Sequence, residues 1–278
     1  MKHTFTIGGD LAVHRLGFGA MRLTGQGVWG PPANPAEARA VLKRAIELGV
    51  NFIDTADSYG PEVSEQLIGD TLFPYRSGLV IATKGGLTRG GPGQWSPDGR
   101  PEHLRRAIEG SLKRLKLERI DLYQLHRIDP RVPLQESLGA LAALQQEGKI
   151  RHIGVSNVSV SELRRAREIV PIVSVQNRYS LVDRLSDDVL NECARLELAF
   201  IPWFPLGAGD LSSGKAIAEV AARRGVTSHQ VAIAWLLQRA DNVLPIPGTS
   251  SVKHLEENMA AAELVLQPED LRALDGKK

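Results

Sequence analysis

VNFIDTADSYGPEVSEQLIGDTLFPYRSGLVIATK, residues 50–84, holds the pattern that decides the fold. It contains two short apolar runs, VNFIDT (50–55) and GLVIATK (78–84), which are typical of buried strands. Between them, residues 61–72 place apolar side chains at helical spacing. A strand, a helix and a second strand in this order predict a β–α–β unit with parallel strands.

The same unit recurs along the whole chain of 278 residues. We expect eight strands, at RLGFGA (15–20), VNFIDT (50–55), GLVIATK (78–84), RIDLYQLH (119–126), IRHIGVS (150–156), PIVSVQN (171–177), AFIPWF (199–204) and NVLPIPG (242–248). Helices are expected near 35–48, 61–72, 101–117, 133–147, 159–169, 186–198, 214–238, 251–262 and 268–275. Eight strand–helix units in a row predict an α/β fold, a single (β/α)8 TIM barrel domain over residues 1–278.

Two segments stand outside this repeat. The opening FTI–GGD–LAV (5–13) predicts a β-hairpin, which we expect to close the bottom of the barrel. The glycine-rich segment GGLTRGGPGQWSPDGRP (85–101) is too long for a simple connection and follows the third strand, on the catalytic face of such a barrel. We interpret it as a flexible substrate loop, the alternative being a disordered excursion.

Composition and charge argue against several kinds of partner. The net charge is +2, and the scattered basic residues have no aromatic residues between them, so no nucleic-acid partner is expected. Cys193, the only cysteine, lies in a helical pattern and is interpreted as a small core residue rather than a reactive thiol. No Cys/His cluster has metal-ligand spacing, so no metal is expected.

The N-terminal residues MKHTFTIGGDLAV lack the apolar core of a signal peptide. No apolar run approaches the ~18 residues of a membrane span, so no membrane partner is expected. We therefore expect a cytoplasmic protein.

Four polar side chains lie at or just beyond the ends of successive predicted strands. Asp54, Lys84 and His126 close the second, third and fourth strands, and Tyr59 follows Asp54 by five positions. In a parallel barrel these ends meet on one face, so the four groups are expected to converge. A cation beside a tyrosine lowers the pKa of the phenol, and a carboxylate holds that cation in place. Each residue alone could be structural, but together they predict proton transfer to a carbonyl oxygen.

With these residues the chain resembles the aldo-keto reductase family. The motifs GFGAMRL (17–23), IGVSN (153–157), VQNRYS (175–180), PWFPLGAG (202–209) and IPGTSSVKHLEEN (246–258) follow in the family's order. GVWGPP (27–32) and the last of these motifs resemble the bacterial branch that includes pyridoxal reductases.

The resemblance implies a function. It implies NADPH-dependent reduction of an aldehyde or ketone to an alcohol by direct hydride transfer, without a metal. Tyr59 is then the general acid, Lys84 paired with Asp54 depresses the Tyr59 pKa, and His126 orients the carbonyl. A regulatory or redox-sensing subunit with slow turnover is the alternative, since the family includes such members.

The amides and hydroxyl of Ser156, Asn157 and Gln176 suit the paired donor and acceptor of a nicotinamide carboxamide. Trp203 stands where the family usually has a stacking tyrosine; capping of the barrel core is the alternative. The resemblance extends the cofactor site to Gly19, Ala20, Met21, Ser156, Asn157, Gln176, Trp203, Pro205, Leu206, Gly207, Gly248, Thr249, Ser250, His254, Glu257 and Asn258.

Two departures from the family bear on the choice between NADPH and NADH. Many relatives have a lysine at the position of Gly248 and an arginine at that of His254, and both would contact a 2′-phosphate. Lys253 could compensate, so NADPH remains the expected cofactor and NADH the less favoured one. LGAGDL (206–211) is a turn where backbone amides could approach the pyrophosphate.

The substrate is predicted less directly. Trp29, Trp95 and Arg127 follow strand ends on the catalytic face and could line a pocket for an aromatic or heteroaromatic aldehyde such as pyridoxal. Packing of the surface loops is the alternative for each. The sequence does not fix the oligomeric state.

Overall fold

A curled sheet of seven parallel strands forms the centre of the computed structural model, which describes residues 2–207 and 214–276. In chain order the strands of the described residues are β1 (Thr4–Ile7), β2 (Leu11–His14), β3 (Phe18–Gly19), β4 (Phe52–Asp54), β5 (Val80–Gly85), β6 (Leu87–Gly91), β7 (Gln94–Pro97), β8 (Ile120–Leu125), β9 (Ile150–Ser156), β10 (Ile172–Gln176) and β11 (Ala199–Phe200). The central sheet has the order β11-β10-β9-β8-β5-β4-β3, and the other four strands form two hairpins.

The eighth predicted strand, 242–248, joins the two edges of this sheet through backbone hydrogen bonds alone. On one side Leu244 N donates to Phe200 O and Phe200 N to Asn242 O, each at 2.8 Å. On the other side Gly17 N donates to Pro245 O at 2.9 Å. Pro245 and Pro247 have no N–H to donate, which explains why the segment does not form a regular strand. These bonds are consistent with the predicted (β/α)8 barrel.

Six α-helices of the described residues lie between successive strands of the central sheet, and four more follow β11. They are α1 (Pro35–Glu47), α2 (Val63–Leu72), α3 (Pro101–Leu115), α4 (Leu134–Gln146), α5 (Val160–Ile169), α6 (Asp187–Arg195), α7 (Lys215–Arg224), α8 (Ser228–Arg239), α9 (Val252–Ala260) and α10 (Pro268–Leu274). Cys193 is buried in α6, as predicted for a small core residue. Burial raises the pKa of its thiol to about 12. Among the described residues there is no helix of the length and apolar character that crossing a bilayer demands.

The single helix predicted over 214–238 is wrong, because the structure has two helices there. Gly225 ends α7 in the left-handed conformation, with φ of 67°. Thr227 then caps α8, its side chain accepting from Gln230 N while the Gln230 side chain accepts from Thr227 N. Glycine followed by a Thr-x-x-Gln capping box is a stop and a start signal, and the helical spacing on both sides concealed it.

The segment after β5 forms a hairpin instead of an irregular loop, so the alternative of a disordered excursion is wrong. Strands β6 and β7 pair antiparallel, with Thr88 opposite Ser96 and Arg89 opposite Trp95. Gly93 occupies the turn with φ of 70°. Gly93, one of the glycines that suggested mobility, therefore serves the turn.

The N-terminal hairpin β1–β2 contributes apolar side chains to a buried cluster with the central strands. Ile7, Leu11 and Val13 pack there, and their partners include Phe52, Val80, Leu122 and Ala199 of the strands and Leu244 of segment 242–248.

The buried guanidinium of Arg15 ties the start of the chain to its last third. It donates to the carbonyl oxygens of Val243 at 3.2 Å, Leu237 at 2.7 Å and Ala240 at 2.5 Å. Carbonyl oxygens rather than a carboxylate thus satisfy this buried cation.

Candidate active site

The predicted strand-end residues meet at one cavity. Asp54 is the last residue of β4, Lys84 lies in β5, and His126 directly follows β8. Tyr59 lies in the loop between β4 and α2. Asp54, Tyr59 and His126 line a cavity of about 790 Å³, and Lys84 is fully buried beside it.

Lys84 and Asp54 form a buried ion pair. Lys84 Nζ lies 2.6 Å from Asp54 Oδ1 and donates to Thr55 O at 2.7 Å. Burial acts to lower the pKa of Lys84, but the adjacent Asp54 and Tyr59 more than offset it and raise this pKa. The site therefore favours the charged form of Lys84.

Two glutamine side chains complete the hydrogen bonding of Asp54. Its Oδ2 atom accepts from Gln176 Nε2 at 2.8 Å and from Gln124 Nε2 at 3.2 Å. A buried carboxylate needs such partners to remain charged at acceptable cost. We did not predict Gln124, although it lies on the inward face of β8 with Leu122, and a polar residue there is the signal that could have identified it.

Tyr59 lies above the ion pair, with Lys84 Nζ 5.1 Å from the centroid of its ring. Burial raises the pKa of Tyr59 above its usual value, and the attraction of Lys84 for the phenolate does not offset it. The predicted depression of this pKa is therefore wrong for this structure. The physical reason is that burial of the phenol outweighs the attraction of Lys84, and the negative charge of Asp54 acts in the same direction as burial.

The surroundings of His126 favour the neutral imidazole. Burial lowers its pKa well below the usual value, and the positive charges of Lys84 and Arg127 act in the same direction. The His126 and Tyr59 rings face each other edge-on, with centroids 5.9 Å apart. A neutral imidazole keeps one N–H donor, so His126 can donate to a carbonyl oxygen placed beside Tyr59.

The cavity also gathers the residues that the sequence assigned to a cofactor, except for Ala20, which is buried outside it. Those that line it are Gly19, Met21, Ser156, Asn157, Gln176, Trp203, Pro205, Leu206, Gly207, Gly248, Thr249, Ser250, His254, Glu257 and Asn258. Residues 208–211 of the predicted pyrophosphate turn lie outside the described residues.

The three residues predicted for the carboxamide are connected to one another and to their surroundings. Ser156 Oγ donates to Gln176 O at 2.7 Å, and Gln176 Nε2 donates to Asp54 Oδ2. Asn157 Oδ1 accepts from Trp203 Nε1 at 3.1 Å, and Asn157 Nδ2 donates to His126 O at 3.1 Å. These bonds fix the side chains in place and leave one lone pair of Asn157 Oδ1 and the side-chain oxygen of Gln176 for a ligand.

At the far end of the cavity, two backbone N–H groups in the first turn of α9 already have hydrogen-bond acceptors. Ser251 caps the helix, its side chain accepting from His254 N. Val252 N donates to Glu37 Oε1 at 3.1 Å, a carboxylate that no sequence argument placed here. Binding of an anion at this end therefore requires cationic side chains in addition to the remaining backbone amides.

The predicted substrate residues divide into two groups. Trp95 and Arg127 line the cavity, and the Trp95 ring centroid lies 6.4 Å from those of both Tyr59 and His126. Trp29 is not part of the lining and instead lies under the Arg89 guanidinium. Further lining residues that the sequence analysis missed are Arg22, Val28, Leu87, Pro97, Phe204, His229, Ile246 and Pro247.

Comparisons with known proteins agree with this geometry. The chain matches the model of the Aldo/keto reductase family over residues 15–278. It is 50% identical over 268 residues to a Schizosaccharomyces pombe protein named uncharacterized oxidoreductase C215.11c, covering 96% of this chain and 87% of that protein. It is 45% identical over 281 residues to pyridoxine 4-dehydrogenase of Escherichia coli, covering 99% and 98% of the two chains.

A solved structure shares the fold. The crystal structure of an aldo/keto reductase from Klebsiella pneumoniae in complex with NADP and acetate has a TM-score of 0.85 and 31% sequence identity, covering 99% of this chain and 95% of that chain. Fold and site together define an oxidoreductase. The chain belongs to the aldo/keto reductase family.

Proposed function

We propose that the protein is an NADPH-dependent carbonyl reductase of one catalytic domain, with Tyr59 as the general acid. The observation that carries this proposal is the buried Lys84–Asp54 pair beneath Tyr59, with neutral His126 beside it at the cavity. An acid, a fixed cation and a neutral donor at one point are the groups that carbonyl reduction requires.

The residues of the cavity fit a dinucleotide. One continuous space extends from Tyr59 to Asn258, with amide and hydroxyl groups along it and Arg22 and His254 at its far end. When bound, a reduced nicotinamide supplies the hydride. The NADP complex of the Klebsiella pneumoniae relative supports NADP(H) as the cofactor.

Each of the four polar side chains then has its own role in the reaction. His126 donates a hydrogen bond to the carbonyl oxygen and fixes its direction. As the carbonyl carbon is reduced, the negative charge that develops on this oxygen is neutralised by the proton of Tyr59 Oη. Lys84 stabilises the phenolate that remains, and Asp54 holds Lys84 in position. The raised pKa of Tyr59 suits this role, because the phenol stays protonated until the alkoxide forms.

For the substrate we propose an aromatic or heteroaromatic aldehyde, pyridoxal being the first candidate. The 45% identity to pyridoxine 4-dehydrogenase supports it, and so does the position of Trp95 beside Tyr59 and His126. We further propose that β1–β2 covers the end of the barrel away from this cavity, because it packs with Phe52, Val80 and Ala199, the first residues of three central strands. A cytoplasmic location belongs to the same proposal.

The test is steady-state oxidation of NADPH and of NADH with pyridoxal, nitrobenzaldehyde, methylglyoxal and butanone. We expect higher kcat/KM with NADPH, and with the two aromatic aldehydes than with methylglyoxal or butanone. A lead for methylglyoxal or butanone would refute the aromatic substrate but not the reductase. Oxidation of one bound NADPH without further turnover would favour the regulatory subunit.

A further inference from the structure

Arg89, in strand β6, holds three loops together at the rim of the cavity. Its Nη1 atom donates to Val28 O at 2.7 Å and to Ser58 O at 3.0 Å. Its Nη2 atom donates to Gly27 O at 3.0 Å and Gly91 O at 3.3 Å, and its Nε atom donates to Gln94 O at 3.0 Å. An arginine has five N–H donors, so each one has a carbonyl acceptor.

The same guanidinium lies on the face of Trp95. Arg89 Cζ is 3.6 Å from the centroid of the Trp95 ring and 5.6 Å from that of the Trp29 ring. A cation over an indole is attracted by the ring quadrupole, and arginine also stacks on such rings. In the described parts of the chain Arg89 has no carboxylate partner, so carbonyl oxygens and aromatic rings make up its surroundings.

The position of Trp95 follows from this contact. Trp95 is 37% exposed and lies near the tip of the β6–β7 hairpin, where a large side chain would otherwise be free to change rotamer. With Arg89 against it, its ring lies edge-on to Tyr59 at 85°, and its centroid is 6.4 Å from that of His126. Arg89 also binds the carbonyl of Ser58, the residue before Tyr59. The Arg89 side chain thus contacts both Trp95 and the backbone next to Tyr59.

We propose that Arg89 is a positioning residue that fixes Trp95 as the aromatic wall of the substrate pocket and thereby sets the preference for flat aromatic aldehydes. This inference rests on the proposed reductase function. It explains why the glycine-rich segment is an ordered hairpin: a wall helps to select substrates only if it is held in one place before binding.

The test combines Arg89→Met with Trp95→Leu, alone and together, in kinetics with nitrobenzaldehyde and methylglyoxal. Arg89→Met keeps the aliphatic stem and removes the five donors. We expect KM for nitrobenzaldehyde to rise about two- to tenfold, the range for loss of one aromatic contact, with KM for methylglyoxal and the Kd of NADPH unchanged. In the Trp95→Leu background, Arg89→Met should cause no further loss of preference, because the wall it positions is gone.

Arg89→Lys and Arg165→Met serve as comparisons. Lysine keeps a cation near Trp95 but cannot donate to five carbonyls, so we expect an intermediate KM. Arg165 is exposed on α5, and its loss should leave both substrates unaffected. The near-ultraviolet circular dichroism of Arg89→Met should lose the same Trp95 signal that Trp95→Leu loses. If Arg89→Met does not fold, Arg89→Lys supplies the same comparison.

The outcomes separate the two proposals. A wild-type protein that reduces neither aldehyde would refute the reductase function itself. If the wild type reduces both but Arg89→Met lowers kcat equally for both, or leaves their ratio and the Trp95 signal unchanged, Arg89 does not position the wall.

Discussion

The side chain of Arg22 lies against Gly248: Arg22 Cγ is 3.5 Å from the point that a β-carbon on Gly248 would occupy. That β-carbon would also lie only 2.5 Å from the carbonyl oxygen of Gly19, so a lysine at position 248 does not fit this backbone. Arg22 lines the cavity at this point. Arg22, in the segment after β3, thus places a cation at the part of the cavity where Gly248 has no side chain.

Arg22→Met is therefore expected to weaken NADPH binding about tenfold and NADH binding much less, because only NADPH has a 2′-phosphate for a guanidinium to bind. Quenching of tryptophan fluorescence on titration with each nucleotide gives both Kd values. Arg165→Met is the matched control. Equal weakening of the two nucleotides would place Arg22 away from the 2′-phosphate.

Tyr59→Phe should keep the fold and the Kd of NADPH but lower kcat for carbonyl reduction by about 10²–10⁴-fold, the usual contribution of a positioned proton donor. The phenol hydroxyl is the only group removed. Single-turnover oxidation of bound NADPH by nitrobenzaldehyde measures the effect directly. A variant that retains more than about a tenth of the wild-type rate would show that another group is the acid.

Lys84→Met should destabilise the protein by about 3–5 kcal/mol, since it leaves the Asp54 carboxylate buried without its cation. In the double variant Asp54→Asn/Lys84→Met most of that stability should return, because no charge remains and Gln176 and Gln124 can donate to the new amide oxygen. Both variants should be inactive. Urea unfolding at neutral pH measures the free energies; a double variant no more stable than the single one contradicts the account of a buried ion pair.

Asp57→Asn is expected to stabilise the protein at neutral pH. Asp57 Oδ1 is buried without a hydrogen-bond partner in the described structure, and burial, followed by the charge of Glu65, raises the pKa of Asp57 well above its usual value. A raised carboxyl pKa means that the folded state binds the proton more tightly than the unfolded chain. Stability is then full below the unfolded pKa of ~3.9 and is lost as the pH rises toward the folded value.

The gain from Asp57→Asn should therefore be absent near pH 4 and should grow with pH, to about 1–3 kcal/mol, the cost of one unsatisfied buried polar group. Thermal unfolding across this pH range tests the sign. Glu219→Gln, which removes an exposed carboxylate on α7, should show no such trend. A benefit of Asp57→Asn that is constant with pH would rule out a change of protonation.

The order of strands and helices could be predicted because it depends on local periodicity, and the convergence of Asp54, Lys84 and His126 followed from it. The residues we missed depend on contacts between distant parts of the chain. Gln124 belongs to the site only because β8 lies beside β5, and Arg89 because its hairpin folds back on residues 27 and 28. A polar residue on the inward face of β8 is a sequence signal for Gln124, but the sequence around Arg89 gives no sign of its contacts with residues 27 and 28.

The pKa of Tyr59 shows a second limit. The sequence supplied the correct neighbours, but the direction of the shift depends on how fully the phenol is buried and on how far Asp54 cancels the charge of Lys84. Both are properties of the packed site. The tryptophans illustrate the same point, since Trp95 lines the cavity and Trp29 does not.

The contacts of Arg15 have a consequence for biosynthesis. Its guanidinium binds carbonyl groups that follow it by 222 to 228 residues, at Leu237, Ala240 and Val243. A ribosome that adds about 5–20 residues per second needs roughly ten to forty seconds to cover that interval. Throughout this time Arg15 lacks these three acceptors, and segment 242–248 cannot join the two edges of the sheet. Closure is therefore a late event, which favours post-translational completion of the fold over stepwise folding during synthesis.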